Sequence, residues 1–169
     1  MRPSIDEYML RLAQAAASRT TCIRRGVGCV LANAKGHVLA ISYNGVASGM
    51  PHCNDTKKEC RDNRKEECDL GSTTQPRCFL EVTYPHACID YDLPPGSDSC
   101  EAVHAEQNAL LQCHNPWQIE TAYVSLSPCK ACLKLLLNTS CKRIVFLEEH
   151  IDPLPKALWL KAGRTWEQQ

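Results

Sequence analysis

Two short motifs hold side chains whose types and spacing could do chemistry: His104-Ala105-Glu106 and Pro128-Cys129-Lys130-Ala131-Cys132. Cys129 and Cys132 are three apart, so on a helix they share one face and both sulfurs can reach one ion. His104 adds a neutral imidazole. One imidazole and two thiolates on Zn²⁺ make a formally neutral site with a fourth position open to water, the ligand count of a catalytic rather than a structural zinc. Glu106 carries the argument further, because a structural zinc has no need of a carboxylate two positions from a ligand. Hydrolysis does need one: a carboxylate beside zinc-acidified water can take a proton and return it to a ring nitrogen and a leaving amine. That is the chemistry of amine hydrolysis on a nucleobase. Each motif alone says less, since a lone Cys-x-x-Cys is often a structural half-site or a redox pair and a lone histidine is often a satisfied core residue. Together, in this order and each at the start of a helix, they point to one shared site.

The elements that position these motifs can be read from the hydrophobic pattern. Ser4-Ile5-Asp6-Glu7 reads as a capping box opening a helix over 4–17, with Ile5, Met9, Leu12 and Ala16 as an apolar stripe that should lie on a sheet. Residues 26–32 and 37–43 are strand-like and separated by Asn33-Ala34-Lys35-Gly36, which predicts a β-hairpin. Farther on, 104–113 reads as helix, 121–125 as strand, 129–138 as helix with Pro128 suited to its first turn, 143–147 as strand, 155–162 as helix and 164–167 as a short last strand. Strands alternating with helices imply a mostly parallel sheet covered on both faces. From 45 to 103 the periodicity disappears, and the stretch holds five prolines and six cysteines. A loop that long is expected to be functional, disordered or pinned by something such as a metal. Residues 1–169 are accordingly expected to form a single domain carrying a Cys-rich insertion at about 45–103.

Composition narrows the function classes. Lys plus Arg and Asp plus Glu number 19 each, for a net charge of +0, which argues against a strongly basic nucleic-acid scaffold. Aromatic residues make up 6%, too few for a stacking platform for single strands. No run of about 18 apolar residues exists, so no membrane span is expected. There are 12 cysteines, yet Asp6 and Glu7 interrupt the apolar run that an export signal would need. Reduced thiols and metal, rather than disulfides, are therefore expected, with the cytoplasm as the compartment. Cys29, Cys113 and Cys141 read as small buried hydrophobes, and Lys156, Lys161 and Arg164 as solvated surface charges. Arg24 and Arg25, just before the first strand, are candidates for contacting a single phosphate.

By these motifs the chain resembles the cytidine and deoxycytidylate deaminase family, most closely its deoxycytidylate (dCMP) deaminases. The resemblance rests on Ser18-Arg19-Thr20-Thr21-Cys22 leading into Val27-Gly28, on Tyr43-Asn44-Gly45 followed by Ser48-Gly49 and His52-Cys53, on His104-Ala105-Glu106-Gln107-Asn108-Ala109-Leu110, and on Ser127-Pro128-Cys129-Lys130-Ala131-Cys132. It implies a three-layer α/β/α cytidine deaminase-like fold, with a five-stranded mixed sheet whose last two strands are parallel. It also implies zinc-dependent hydrolysis of dCMP to dUMP and ammonia, Zn²⁺ being held by His104, Cys129 and Cys132 and protons moved by Glu106. Asn44 would contact the substrate sugar and base, and the Ala105 backbone would help hold the pyrimidine ring. Relatives with similar Cys22 and Cys53 suggest a second, structural zinc on Cys22, Cys53 and Cys100, with His52, Cys60 or His86 as fourth ligand. Cys68, Cys78 and Cys88 stay unassigned.

The same resemblance implies hexamers activated by dCTP with Mg²⁺ and inhibited by dTTP, the effector meeting the loop that holds Tyr43, Gly45 and Gly49. Two departures stand out: the insertion is long, and Ser42 occupies a position where family members often carry glycine. The helix at 155–162 can return the chain so that the final strand runs parallel to its neighbour. Free-cytidine deaminases lack that helix, which leaves dCMP deaminases and tRNA or polynucleotide deaminases as the competing readings. A non-catalytic zinc module would use a fourth protein ligand and would leave Glu106 without a role.

Overall fold

In the computed structural model, which describes residues 2–22, 25–50, 52 and 102–169, helix α1 (Ile5–Ala17) starts at Ser4, whose hydroxyl accepts the Glu7 N–H at 3.1 Å. Only half of the expected capping box forms, because the Glu7 carboxylate turns to Arg11 at 2.6 Å, one turn on. The buried face of α1 is Met9, Leu10, Ala13 and Ala16, whereas Ile5 is 53% exposed and Leu12 half-buried. The predicted stripe is thus rotated by about one residue. Close approach explains the rotation: a Cβ at Gly28 would lie 1.9 Å from the Ala13 carbonyl oxygen, so alanines must face that strand.

Strands β1 (Gly28–Ala32) and β2 (Val38–Tyr43) form the expected antiparallel hairpin. Its turn is closed by the Asn33 side chain, which accepts the N–H groups of Lys35 and His37 at 3.0 and 2.9 Å, and by Gly36 at φ +75°. Strands β3 (Gly45–Val46) and β4 (Ala102–Val103) pair in a separate two-stranded sheet. Then follow α2 (Ala105–Gln112), β5 (Thr121–Leu126), α3 (Lys130–Leu137), β6 (Arg143–Glu148), α4 (Leu154–Lys161) and β7 (Thr165–Gln168). The chain divides into two units, Met1–Thr20, Gly26–Asn44 and Val103–Gln169 in one, Thr21–Arg25 and Gly45–Ala102 in the other.

The first unit holds the five-stranded sheet, in the order β2-β1-β5-β6-β7. β5, β6 and β7 are parallel, and β1 is antiparallel to both β2 and β5. Four strands therefore point the same way, as strand–helix alternation predicts, but β1 runs against them from a central position and the sheet is mixed. Its alternation sorts the core: Val30, Ala32, Tyr123 and Val145 meet α1 on one face. Cys29, Leu31, Ala122, Val124, Ile144 and Phe146 meet α2, α3 and α4 on the other. This is the three-layer α/β/α arrangement.

The return to β7 is fixed by Trp159, fully buried on α4, whose indole N–H donates to the Thr165 carbonyl at 2.8 Å. Arg164 is not the solvated charge the sequence suggests. It lies over the Trp159 ring at 4.9 Å and donates to the carbonyls of Leu136, Leu137, Thr139 and Cys141, covering the open end of α3. Among the described residues, no helix is long and apolar enough to cross a membrane.

Candidate catalytic metal centre

Because β2, β5 and β6 run in one direction, their carboxyl ends open on one edge of the sheet, where an α/β fold places its ligands. Asn44 follows β2, Ser127 to Cys129 follow β5, and His104 opens α2. His104 and Cys129 are both helix N-caps with extended backbones, and Cys132 lies in the first turn of α3. Pro128 therefore precedes the cap instead of occupying the first turn. Its ring blocks helical backbone at Ser127, which ends β5 cleanly.

His104 Nδ1 lies 3.5 Å from Cys129 Sγ and 3.4 Å from Cys132 Sγ. Zinc bonds of about 2.3 Å to sulfur and 2.0–2.1 Å to nitrogen, at the tetrahedral angle, put S and N about 3.6 Å apart. The donor set thus fits zinc in type and in spacing, and the imidazole would ligate through Nδ1 with its proton on Nε2. All three ligand atoms lie within 4.8 Å of one another, and among the described residues they form the one such group. The hydrogen bond from Cys132 brings the Cys129 thiol down to about 3, and that same bond, together with burial, pushes the Cys132 thiol up, toward its protonated form. A divalent cation would displace the remaining proton. The N-terminus of α3, where both cysteines lie, favours the thiolate form.

Glu106 is 3% exposed. Burial pushes its carboxyl up, opposed in part by a backbone hydrogen bond and by His104, which is the direction a proton-shuttling carboxylate requires. Its segment is held from several sides. The Gln107 side chain accepts the His104 N–H at 2.9 Å, the Asn108 amide donates to the Tyr43 carbonyl at 2.9 Å, and the Ser42 hydroxyl donates to the Ala105 carbonyl. Ser127, fully in the core, accepts the His150 N–H at 2.7 Å and donates its own N–H to Glu148, tying the end of β5 to the end of β6. Gln107, Asn108 and Ser127 carry no sequence signal of these roles beyond their place, the first two adjoining the His-Ala-Glu motif and Ser127 close to the Cys pair.

The remaining expected residues are placed unevenly. Asn44 is buried, and its side-chain oxygen accepts from the Val27 N–H and the Thr20 hydroxyl, both at 2.8 Å. That fixes the amide plane at the end of β2. Ala105 is fully buried and Tyr43 half-buried on the same edge. Cys22 is half-buried, and Gly49 has φ +85° with open space around it. Cys53, Cys60, His86, Cys100 and Arg24 lie outside the described residues, so of the residues expected at a second zinc only Cys22 and His52 are among the described ones. Cys29, Cys113 and Cys141 are buried in the core as expected, with burial raising the Cys141 thiol to about 12.

Residues 3–148 match the family model of the cytidine and deoxycytidylate deaminase zinc-binding region. The deoxycytidylate deaminase of Mycobacterium phage D29 is 35% identical over 149 residues, which is 88% of this chain and 98% of the phage protein. The deoxycytidylate deaminase of Saccharomyces cerevisiae is 29% identical over 153 residues, 89% of this chain and 39% of the yeast protein. The crystal structure of dCMP deaminase from the cyanophage S-TIM5 in complex with dCMP and dUMP shares the fold, with a TM-score of 0.65 at 22% identity over 100% of this chain and 99% of that one. A His-Cys-Cys cluster beside a buried glutamate, on this sheet and within this matched region, leads to one conclusion: the chain belongs to the cytidine and deoxycytidylate deaminase family.

Proposed function

We propose that the protein hydrolyses dCMP to dUMP and ammonia. The observation that carries the reading is the buried Glu106 carboxyl beside a three-ligand nitrogen and sulfur cluster. The similarity to a phage deoxycytidylate deaminase, over 98% of that protein, supports the choice of substrate. Zinc bound by His104, Cys129 and Cys132 would supply a Lewis acid that lowers the pKa of water to about 7. Glu106 would take one proton from the attacking water and deliver it to the ring nitrogen next to the amino-bearing carbon, then take the second proton from the hydroxyl left on that carbon and give it to the departing amine as the C–N bond breaks. Burial suits the carboxyl to this work, because it raises proton affinity and keeps bulk water from competing. Asn44, its plane set by Val27 and Thr20, meets the sugar and base; the Ala105 backbone holds the pyrimidine ring; and Arg24 takes the phosphate.

In the same reading the protein is a cytoplasmic hexamer whose 1–169 chain acts as one catalytic domain with an insertion. A second, structural zinc on Cys22, Cys53 and Cys100 ties the insertion to the core and reduces its entropy cost. The loop with Tyr43, Gly45 and Gly49 takes dCTP with Mg²⁺ as activator and dTTP as inhibitor, its glycines letting backbone N–H groups approach a triphosphate. The test is kcat/KM measured across dCMP, deoxycytidine, CMP, single-stranded DNA and a tRNA anticodon stem. dCMP should be preferred, and a clear preference for tRNA adenosine would overturn the assignment. Rates against dCMP that neither nucleotide alters would rule out the regulation.

A further inference from the structure

Ser42 sits in the buried face of edge strand β2, 3% exposed and directly opposite Cys29 in the β1 register. Paired residues of neighbouring strands share a face, and Cys29 packs with Ala105 and Ala109, so Ser42 faces the first turn of α2. Its cross-strand partner Cys29 and the facing Ala105 belong to the apolar core cluster. The Ser42 hydroxyl is spent on the carbonyl of Ala105, the residue between the ligand His104 and the acid–base Glu106. That carbonyl follows the N-cap carbonyl of His104, which accepts the Asn108 N–H at 3.0 Å, and it receives the N–H four residues on by ordinary helix geometry. It does not need a second donor to be satisfied. The Ser42 bond therefore adds placement rather than rescuing an orphaned group.

One turn farther along α2, the Asn108 amide reaches the carbonyl of Tyr43, the next residue of β2. Two bonds from adjacent strand residues to successive turns of a helix fix both its rotation and its height over the sheet. The same sheet, through β1 and β5, carries the chain to Cys129. The distance from Glu106 to the metal ligands is thus set through β2 as well as through the motif itself.

We propose that Ser42 is a positioning residue: through the Ala105 carbonyl, its hydroxyl locks the His104–Glu106 turn in the orientation that proton transfer requires. The proposal rests on the deaminase reading above, and its test separates the two. Ser42→Ala, Ser42→Gly and Ser42→Thr are compared with the unaltered protein for zinc content, ammonia release from dCMP, and amide hydrogen exchange. For Ser42→Ala the expected result is zinc content and KM within about twofold of the unaltered protein and kcat lower by about tenfold, the size of loss expected from a small misplacement of reacting groups. Ser42→Thr, which keeps a hydroxyl on the same carbon, should recover most of kcat.

Exchange at the Asn108 and Ala109 amides should quicken by about fivefold in Ser42→Ala while the strand amides stay unchanged. Ser42→Gly repeats the comparison should the alanine variant fail to fold. A kcat equal to that of the unaltered protein in Ser42→Ala, or exchange at 108 and 109 that does not change, overturns the proposal. So does a loss that appears only in KM, or one that threonine does not recover. If the unaltered protein releases no ammonia from dCMP, the substrate reading fails while the exchange comparison still decides whether Ser42 holds the turn.

Discussion

Substituting Gly28 by alanine should detach α1 from the sheet by a predictable amount. A Cβ at Gly28 would lie 1.9 Å from the Ala13 carbonyl oxygen, 2.7 Å from the Ala17 nitrogen and 2.9 Å from the Ala13 carbonyl carbon. All three are helix backbone, which cannot swing aside as a side chain can. To restore ordinary contact the helix must retreat by roughly 1.5 Å, and a gap of about 0.5–1 Å already forfeits a quarter to a half of the dispersion energy of a contact. The face that loses contact is Met9, Leu10, Ala13 and Ala16 against Val30, Ala32, Tyr123 and Val145. Burial of Met9 and Leu10 is worth about 1.5–3 kcal/mol each, so loosening them costs about 1–3 kcal/mol together. Strain from overpacking adds about 1–3 kcal/mol. The stiffer unfolded chain offsets about 0.4–1 kcal/mol. The net is a destabilisation of about 3 kcal/mol, or a Tm lower by about 6–12 °C for a chain of this size. Urea unfolding followed by circular dichroism measures it. A Gly28→Ala protein within about 1 kcal/mol of the unaltered one would refute the packing argument.

Two further outcomes follow from named contacts. Cys132→Ala should lose both the catalytic metal and turnover, since two remaining ligands hold zinc poorly; metal analysis of the purified variant checks it, and retention of that zinc would contradict the assigned ligand set. Tyr123 is buried and donates to Asp6 at 2.8 Å, and burial together with that bond raises its hydroxyl to about 12. Its folded value stands above the unfolded value of about 10, so its contribution is intact below pH 10 and is lost as pH rises to about 12, at up to about 1.4 kcal/mol per pH unit. Urea unfolding at pH 9 to 11, compared with Tyr123→Phe, should show the extra slope only in the unaltered protein; equal slopes would remove Tyr123 from the account.

The metal cluster was legible in the sequence because both halves are local: His104 and Glu106 are two residues apart, and Cys129 and Cys132 share the first turn of one helix. The spans of the five-stranded sheet and its helices were legible for the same reason, since each follows from periodicity and from local signals such as Ser4 and Asn33, whereas β3 and β4, two residues each, are too short to show a period. What the sequence did not reveal depends on contacts between distant segments. The rotation of α1 is dictated by Gly28, on another element, and no periodicity within 4–17 encodes it. The reversed β1 lies inside the sheet because it pairs with both β2 and β5, a choice of pairing rather than of local structure. Ser42 and Asn108 meet partners more than 60 residues away, and Arg164 caps a helix that ended long before it; their residue types are consistent with surface and with core alike.

The central claim is that Glu106 moves protons at a zinc site it does not help to build. The measurement that tests it most directly is zinc content beside ammonia release from dCMP for Glu106→Ala. Zinc equal to that of the unaltered protein and turnover lower by at least about 10²–10⁴-fold are expected, the usual worth of a positioned general acid–base. A Glu106→Ala protein that still deaminates dCMP at a near-native rate would contradict it.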